Sequence, residues 1–188
     1  MVKPDNNKED VPALAVVSTT KGWVAVLASA KGIRRLSLPH PDPSEALSSL
    51  DMPEPSAGAE LEPEAFEDLG HRLERYFEGE MTTFPDALDL KGTDFQKRVW
   101  EAARTIPWGE TRSYSWIARE VGRPRAARAV GQAMRANPAP IIVPCHRVIG
   151  EQGDLRGYGG PDGIGLKREL LEIERGLGTS DATGEGGY

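Results

Sequence analysis

The sequence predicts a mixed α/β chain of the α+β kind. A small strand-rich unit covers residues 1–90, a mainly helical unit with a helix-turn-helix covers 91–176, and a polar tail expected to be disordered covers 177–188. Three observations carry this. Long apolar, β-branched runs joined by short Gly-bearing turns are concentrated in the first forty residues. Amphipathic stretches with helix caps dominate from residue 64 onward. The charge also changes sign near residue 91. Met1 to Leu90 carries 8 Lys/Arg against 17 Asp/Glu, Lys91 to Gly150 carries 11 against 4, and the remainder carries 4 against 8. An acidic chain of net charge −6 thus contains one basic segment, which is the pattern of a polyanion-binding face.

The elements follow in order. Residues 1–10 are polar and expected to be disordered. "ALAVVSTTKGWVAVLASAKGIRRLSLP" reads as strands, with Trp23–Leu27 and Ile33–Leu38 flanking a turn at Ala30–Lys31–Gly32. Pro39 to Pro63 is rich in Pro, Ser, Glu and Ala and is expected to be a long loop. Glu64 to Glu78 is helical, with Phe66, Leu69, Leu73, Tyr76 and Phe77 on one stripe and His71 at the surface. "GEMTTFPDALDLKG" is a second connection. Thr93 and Gln96 form a capping box ahead of a helix through Phe95, Val99, Trp100 and Ala103. Ser113 caps a short helix ending at Gly122, and Pro124 opens another that Pro138 stops. Two short helices about a Gly-containing turn are the outline of a helix-turn-helix, a shape also common in domains that never touch DNA.

The second of these helices combines small Ala126, Ala127, Ala129, Gly131 and Ala133 with cationic Arg125, Arg128 and Arg135. Small side chains let a backbone come close to a surface, and long arginines then reach phosphates or bases. A helix built only for core packing would carry more than the thin strip of Val130 and Met134.

Cys145 is the single cysteine, and His146, one of three histidines, is its neighbour. One cysteine makes no internal disulfide, which suits a reducing cytoplasmic setting. With His40, His71 and His146 scattered, no zinc set at finger spacing exists. "MVKPDNNKED" has no apolar core of a secretory signal, and no run approaches a membrane span. Ile141–Val143 reads as a short buried strand that Pro144 keeps extended. Cys145 and His146 would then face opposite ways, so they cooperate only if the chain turns at or just after Pro144. A free cysteine is most often buried and inert. It becomes a nucleophile when an imidazole takes its proton and an acid fixes the imidazole. Glu169, Glu172 and Glu174 are the candidates for that acid.

"PCHRVIG", preceded by "RAVGQAMRANPAPIIV" and "PWGETRSYSWIA", closely resembles the 6-O-alkylguanine-DNA alkyltransferases, also called methylated-DNA–protein-cysteine methyltransferases. The resemblance is dense from about Gly92 to Glu174, with several motifs in order, and covers residues 1–90 only in layout. It implies a ribonuclease H-like N-terminal domain ahead of the DNA-binding catalytic domain. It implies a partner, double-stranded DNA carrying alkylated guanine and bound through the minor groove; no cofactor is expected, and no metal, because the cysteines with which some members hold zinc in the N-terminal domain are absent from this sequence. It further implies a single-use reaction in which a flipped guanine passes its 6-O-alkyl group irreversibly to Cys145. By position, His146 would be the base acting through a water, Glu174 its orienting acid, and Asn137 the hinge between recognition helix and active-site loop. Arg128 would fill the gap left by the flipped base, with Arg135, Ala127 and Ala129 also against DNA. Tyr114, Tyr158, Val148, Met134 and Gly159 would form the pocket. Gly159 to Lys167 is about two residues longer than the common family pattern, and Gly159 replaces a hydroxyl residue of some members. A cytoplasmic monomer working on the chromosome, with room for cooperative packing along DNA, completes the expectation. A lesion binder without transfer, a helix-turn-helix regulator and a cysteine hydrolase compete with it. Cys145 opposes the first, the lack of an effector domain the second, and the contexts of His40 and His71 the third.

Overall fold

The computed structural model describes residues 12–50, 60–155 and 163–176. Its first element is a hairpin. Strand β1 (Ala13–Thr19) pairs antiparallel with β2 (Gly22–Ser29), in register from Ala13–Ala28 to Thr19–Gly22. β2 then pairs antiparallel with β3 (Gly32–Leu36) across the predicted turn. Gly32 has φ +138°, and a Cβ there would stand 2.3 Å from the Ala87 carbonyl oxygen, so the position admits only glycine. A two-residue strand β4 (Glu60–Leu61) adds parallel to β1, giving the order β3-β2-β1-β4. Alternation along β2 sends Val24, Val26 and Ala28 to one layer and Ala25 and Leu27 to another.

Helix α1 (Pro43–Ser49) covers the second layer, where the sequence predicts only loop. Asp42 caps it, accepting from the Ser44 and Glu45 amides, and Pro43 opens it with its φ already set. Ala46 and Leu50 then close over Leu14, Ala25 and Leu27. The Asp-Pro pair was the signal, hidden in a Pro- and Ser-rich stretch. Helix α2 (Glu67–Phe77), entered through a 3-10 turn at Pro63–Phe66, buries the whole predicted stripe against the other face of the sheet. His71 is exposed, as expected.

The helical part begins with α3 (Asp94–Arg104), and its capping box is formed on both sides. Strand β5 (Arg112–Ser113) leads into α4 (Tyr114–Glu120), capped by the Ser113 hydroxyl. Gly122, at φ +72°, ends that helix. Helix α5 (Ala127–Arg135) packs on α4 across the connecting turn. It starts three residues later than the sequence suggests. Residues 123–126 close as a turn, with the Ala126 amide donating to Arg123 O, and Ala126 has no side chain able to cap. Val130, Ala133 and Met134 face the core, while Arg125, Arg128 and Arg135 are exposed.

The predicted strand at Ile141–Val143 is instead a buried turn. Ile141 adopts φ +75°, rare for a β-branched residue. Pro138 and Pro140 lack the N–H groups a ladder needs, and the chain folds back so that Val143 N donates to Ala139 O at 2.9 Å. A 3-10 turn (Cys145–Arg147) follows, then β6 (Val148–Ile149), parallel to β5. Helix α6 (Gly163–Glu174) is last. One apolar cluster runs from Val24 and Val26 through Leu73 and Tyr76 to Val99, Val130, Val148 and Leu170, so the reactive turn sits where sheet and helices share a core. Among the described residues, no helix is long and apolar enough to cross a membrane. The expected disorder at residues 1–10 and 177–188 lies outside the described residues, as do Tyr158 and Gly159.

Candidate active site

Cys145 opens the 3-10 turn and is 5% exposed. The turn after Pro144 is thus present, and it keeps Cys145 and His146 from facing opposite ways as they would along a strand. The Asn137 side chain ties the end of α5 to this loop. Its amide nitrogen donates to Val143 O at 2.9 Å and to Cys145 Sγ at 3.1 Å, and its oxygen accepts from Ala139 N at 3.0 Å. A donor aimed at sulfur favours the thiolate, the nucleophilic form.

His146 is fully buried, and its Nε2 lies 2.6 Å from Glu174 Oε1. Glu174 also accepts from Arg147 Nε and Nη2, from the Gly109 amide at 3.1 Å and from the Tyr76 hydroxyl at 3.0 Å. Burial alone would raise the Glu174 carboxyl, but the hydrogen bonds and charges of His146 and Arg147 outweigh it and bring it down to about 2. An ionised carboxylate only accepts, so His146 Nε2 carries a proton toward it. His146 Nδ1 is buried with no hydrogen-bond partner among the described residues, and it is the nitrogen left to take a proton. Burial lowers the His146 pKa, against the pull of Glu174 and aided by the charges of Arg147 and Lys167, so the imidazole stays neutral and basic. Of the other glutamates, Glu169 pairs with Lys21 at the surface and Glu172 is exposed. Glu174 alone of the three meets the histidine.

Lys167 is buried, donates to Val148 O at 2.6 Å and stands 5.7 Å from the Tyr114 ring centre. Burial brings its pKa down to about 8, partly offset by the charges of Cys145 and Asp154. The Tyr114 ring lies over Gly131, where an added Cβ would meet it at an ordinary 3.8 Å. In front of them lies a cavity of about 730 Å³, lined by Tyr114, Ala127, Arg128, Gly131, Arg135 and Gly150 among others. The structure therefore gathers Tyr114, Ala127, Arg128 and Arg135 at one cavity. It places Ala129 on the exposed face of α5 and Met134 in the core, away from that lining. Sequence reasoning missed Tyr76, Arg147 and the Gly109 amide. For Tyr76 the signal was a tyrosine inside a Phe/Leu stripe, because a buried phenol needs a polar partner.

Residues 94–176 match the family model described as 6-O-methylguanine DNA methyltransferase, DNA binding domain. The methylated-DNA–protein-cysteine methyltransferase of Mycobacterium tuberculosis is 57% identical over 122 residues, 65% of this chain and 73% of that protein. The constitutive enzyme of Bacillus subtilis is 54% identical over 104 residues, 55% of this chain and 62% of its own. The crystal structure of M. tuberculosis O6-methylguanine methyltransferase superposes with TM-score 0.71 at 42% identity, covering 90% of this chain and 96% of that one. The M. tuberculosis protein in complex with DNA gives 0.72 at 43% identity, over 88% and 94%. Matched over most of these relatives' length, the chain belongs to the methylated-DNA–protein-cysteine methyltransferases, enzymes that repair DNA by alkyl transfer.

Proposed function

We propose that this protein reverses alkylation at the 6-oxygen of guanine by a single-turnover transfer to Cys145. The observation that carries the reading is the buried His146–Glu174 pair, with His146 Nδ1 left open, next to the chain's single cysteine. His146 Nδ1 takes the thiol proton through a water, and Cys145 Sγ attacks the alkyl carbon. The sulfur–carbon bond forms as the carbon–oxygen bond breaks, and the proton returns through His146 to the leaving guanine. The resulting thioether has no easy leaving group, so each molecule acts once.

A base inside a duplex offers no path for this attack, so the target guanine is rotated out of the stack, at a cost of a few kcal/mol. Arg128, exposed on α5, offsets part of that cost by filling the gap. Small Ala127 and Gly131 on one face of α5, and Ala129 exposed on another, keep the helix slim enough for the narrow minor groove, and Arg135 adds phosphate contact. The cavity beside Tyr114 receives the base. There Tyr114 contacts the purine, and the Val148 carbonyl reads its exocyclic amine. Met134 supports this pocket from the core rather than lining it. Residues 1–90 and 91–176 act as its two units, and the protein binds DNA as a monomer.

The test is to incubate the protein with a duplex carrying one methylated guanine and to weigh it. A gain of one methylene on Cys145, saturating at one per molecule, is expected, and Cys145→Ala keeps duplex binding but gains nothing. Continued turnover, or binding with no mass change in the natural protein, would sink the reading.

A further inference from the structure

The base at the reactive turn is held from outside the segment that carries the family motifs. Tyr76 lies on α2, 70 residues before His146 and 98 before Glu174. Its hydroxyl is 3.0 Å from Glu174 Oε1 and 3.2 Å from His146 Nε2, closing a triangle with the 2.6 Å His146–Glu174 contact. Phe77, Phe84 and Trp108 pack around the ring, at centroid distances of 5.4, 5.9 and 5.3 Å, and fix where the hydroxyl points.

We propose that Tyr76 is a positioning residue for alkyl transfer, setting the tautomer of His146 and holding it as a base. The inference rests on the transfer reading above. The phenol has one proton, and the acceptor-only Glu174 carboxylate takes it. A phenol lone pair then faces His146 Nε2, whose single hydrogen, directed at Glu174, it can share; a bare Nε2 lone pair would repel both oxygens. Two elements, α6 through Glu174 and α2 through Tyr76, thus demand the same tautomer, leaving Nδ1 open for the thiol proton.

Tyr76 also acts on the strength of the base. Each donor to Glu174 draws off part of the charge with which the carboxylate holds an imidazolium. Removing the phenol proton lets Glu174 bind the charged imidazole more tightly, so His146 would hold its proton to higher pH. The other groups facing His146 are Glu174 and Lys167 on α6, and Arg147 and Cys145 on its own turn. Burial, and next the Glu174 carboxylate, push the Tyr76 phenol well above its ordinary value, so it stays a donor throughout the working range.

The experiment compares Tyr76→Phe with the natural protein under single-turnover conditions between about pH 4.5 and 8.5, reaching below the ordinary histidine range because burial lowers His146. Methyl transfer to Cys145 is followed by mass, and duplex binding is measured alongside. The ring stays, so packing is kept. Expected are transfer about tenfold slower at neutrality, an acid limb displaced upward by about one pH unit, and unchanged duplex binding. A wild-type rate and limb overturns the proposal, and so does a uniform slowing with the limb unmoved, which a merely structural role would give. If the natural protein transfers nothing, the transfer reading fails, and nitrogen NMR of its His146 still decides the tautomer claim. The same spectrum decides it if Tyr76→Phe does not fold. A neutral ring protonated at Nε2 supports the proposal, and one protonated at Nδ1 overturns it.

Discussion

Replacing Glu174 with glutamine tests the energetics of the buried site most directly. The side chain keeps its size and one acceptor oxygen but loses its charge. Arg147, whose Nη1 donates to Ile106 O at 2.6 Å, is then left as a buried cation without its counter-ion. Breaking a buried pair by removing one partner costs about 3–5 kcal/mol. The titration gives a second route to the magnitude. Glu174 moves from an ordinary 4.5 to about 2, which corresponds to on the order of 3 kcal/mol of linked stability. Because the folded pKa is the lower one, this contribution is complete above pH 4.5 and is lost as pH falls toward 2. For a chain of this size a loss of about 3–5 kcal/mol lowers the melting temperature by roughly 6–20 °C. The assay is urea unfolding of natural and Glu174→Gln protein at neutral pH and at a series of lower values. The gap between the two midpoints should be widest at neutrality and narrow steadily below pH 4.5 as the natural carboxylate is protonated. A gap that stays constant down to the acid transition would refute the idea that Glu174 is held ionised by His146 and Arg147.

Two further substitutions probe the binding face and the fold. Arg128→Ala should slow transfer from a fully paired duplex more than from one in which the alkylated guanine is already unpaired, since the lost intercalating side chain matters only when a base must be extruded; equal slowing on both substrates removes the finger role. Gly32→Ala puts a methyl 2.3 Å from the Ala87 oxygen in a backbone conformation at φ +138° and disturbs the 2.9 Å bond from Ile33 N to that oxygen. It should cost about 3 kcal/mol or more and lower the melting temperature clearly, whereas a melting temperature unchanged within error would mean that the 81–92 connection does not run against β3.

What the sequence made legible was local. The Thr93–Gln96 capping box, the Ser113 cap, the turn at Gly32 and the stripe on α2 each depend on residues within a few positions of one another, and each is in place. Elements whose reason lies elsewhere were lost. Helix α1 exists because Ala46 and Leu50 close over the far side of β2, and a Pro- and Ser-rich composition says nothing of that. The left-handed Ile141 exists because Asn137 and Ala139 fold the chain back under the reactive turn. The site divides the same way. Cys145 and His146 could be named because they are adjacent and stand in the family motif, and a glutamate on α6 because the resemblance runs on to Glu174. By residue type alone Glu169, Glu172 and Glu174 stayed open and only the resemblance pointed to Glu174; in the structure Glu169 turns to Lys21, Glu172 to the surface and Glu174 to the histidine.

Helix α2 makes the sharpest case. It carries one histidine, His71, and one tyrosine, Tyr76, and by residue type alone the histidine is the better candidate for chemistry at neutral pH. The helix repeat turns His71 to solvent and Tyr76 to the core. Once α2 lies against the sheet, the phenol finds its polar partners, among the described residues, in the Glu174–His146 pair. The packing that stabilises the N-terminal part thereby brings a proton donor to the reactive turn. The stripe within residues 64–78 announces that the phenol needs a polar partner but not which one, because that partner is a carboxylate 98 residues further along the chain.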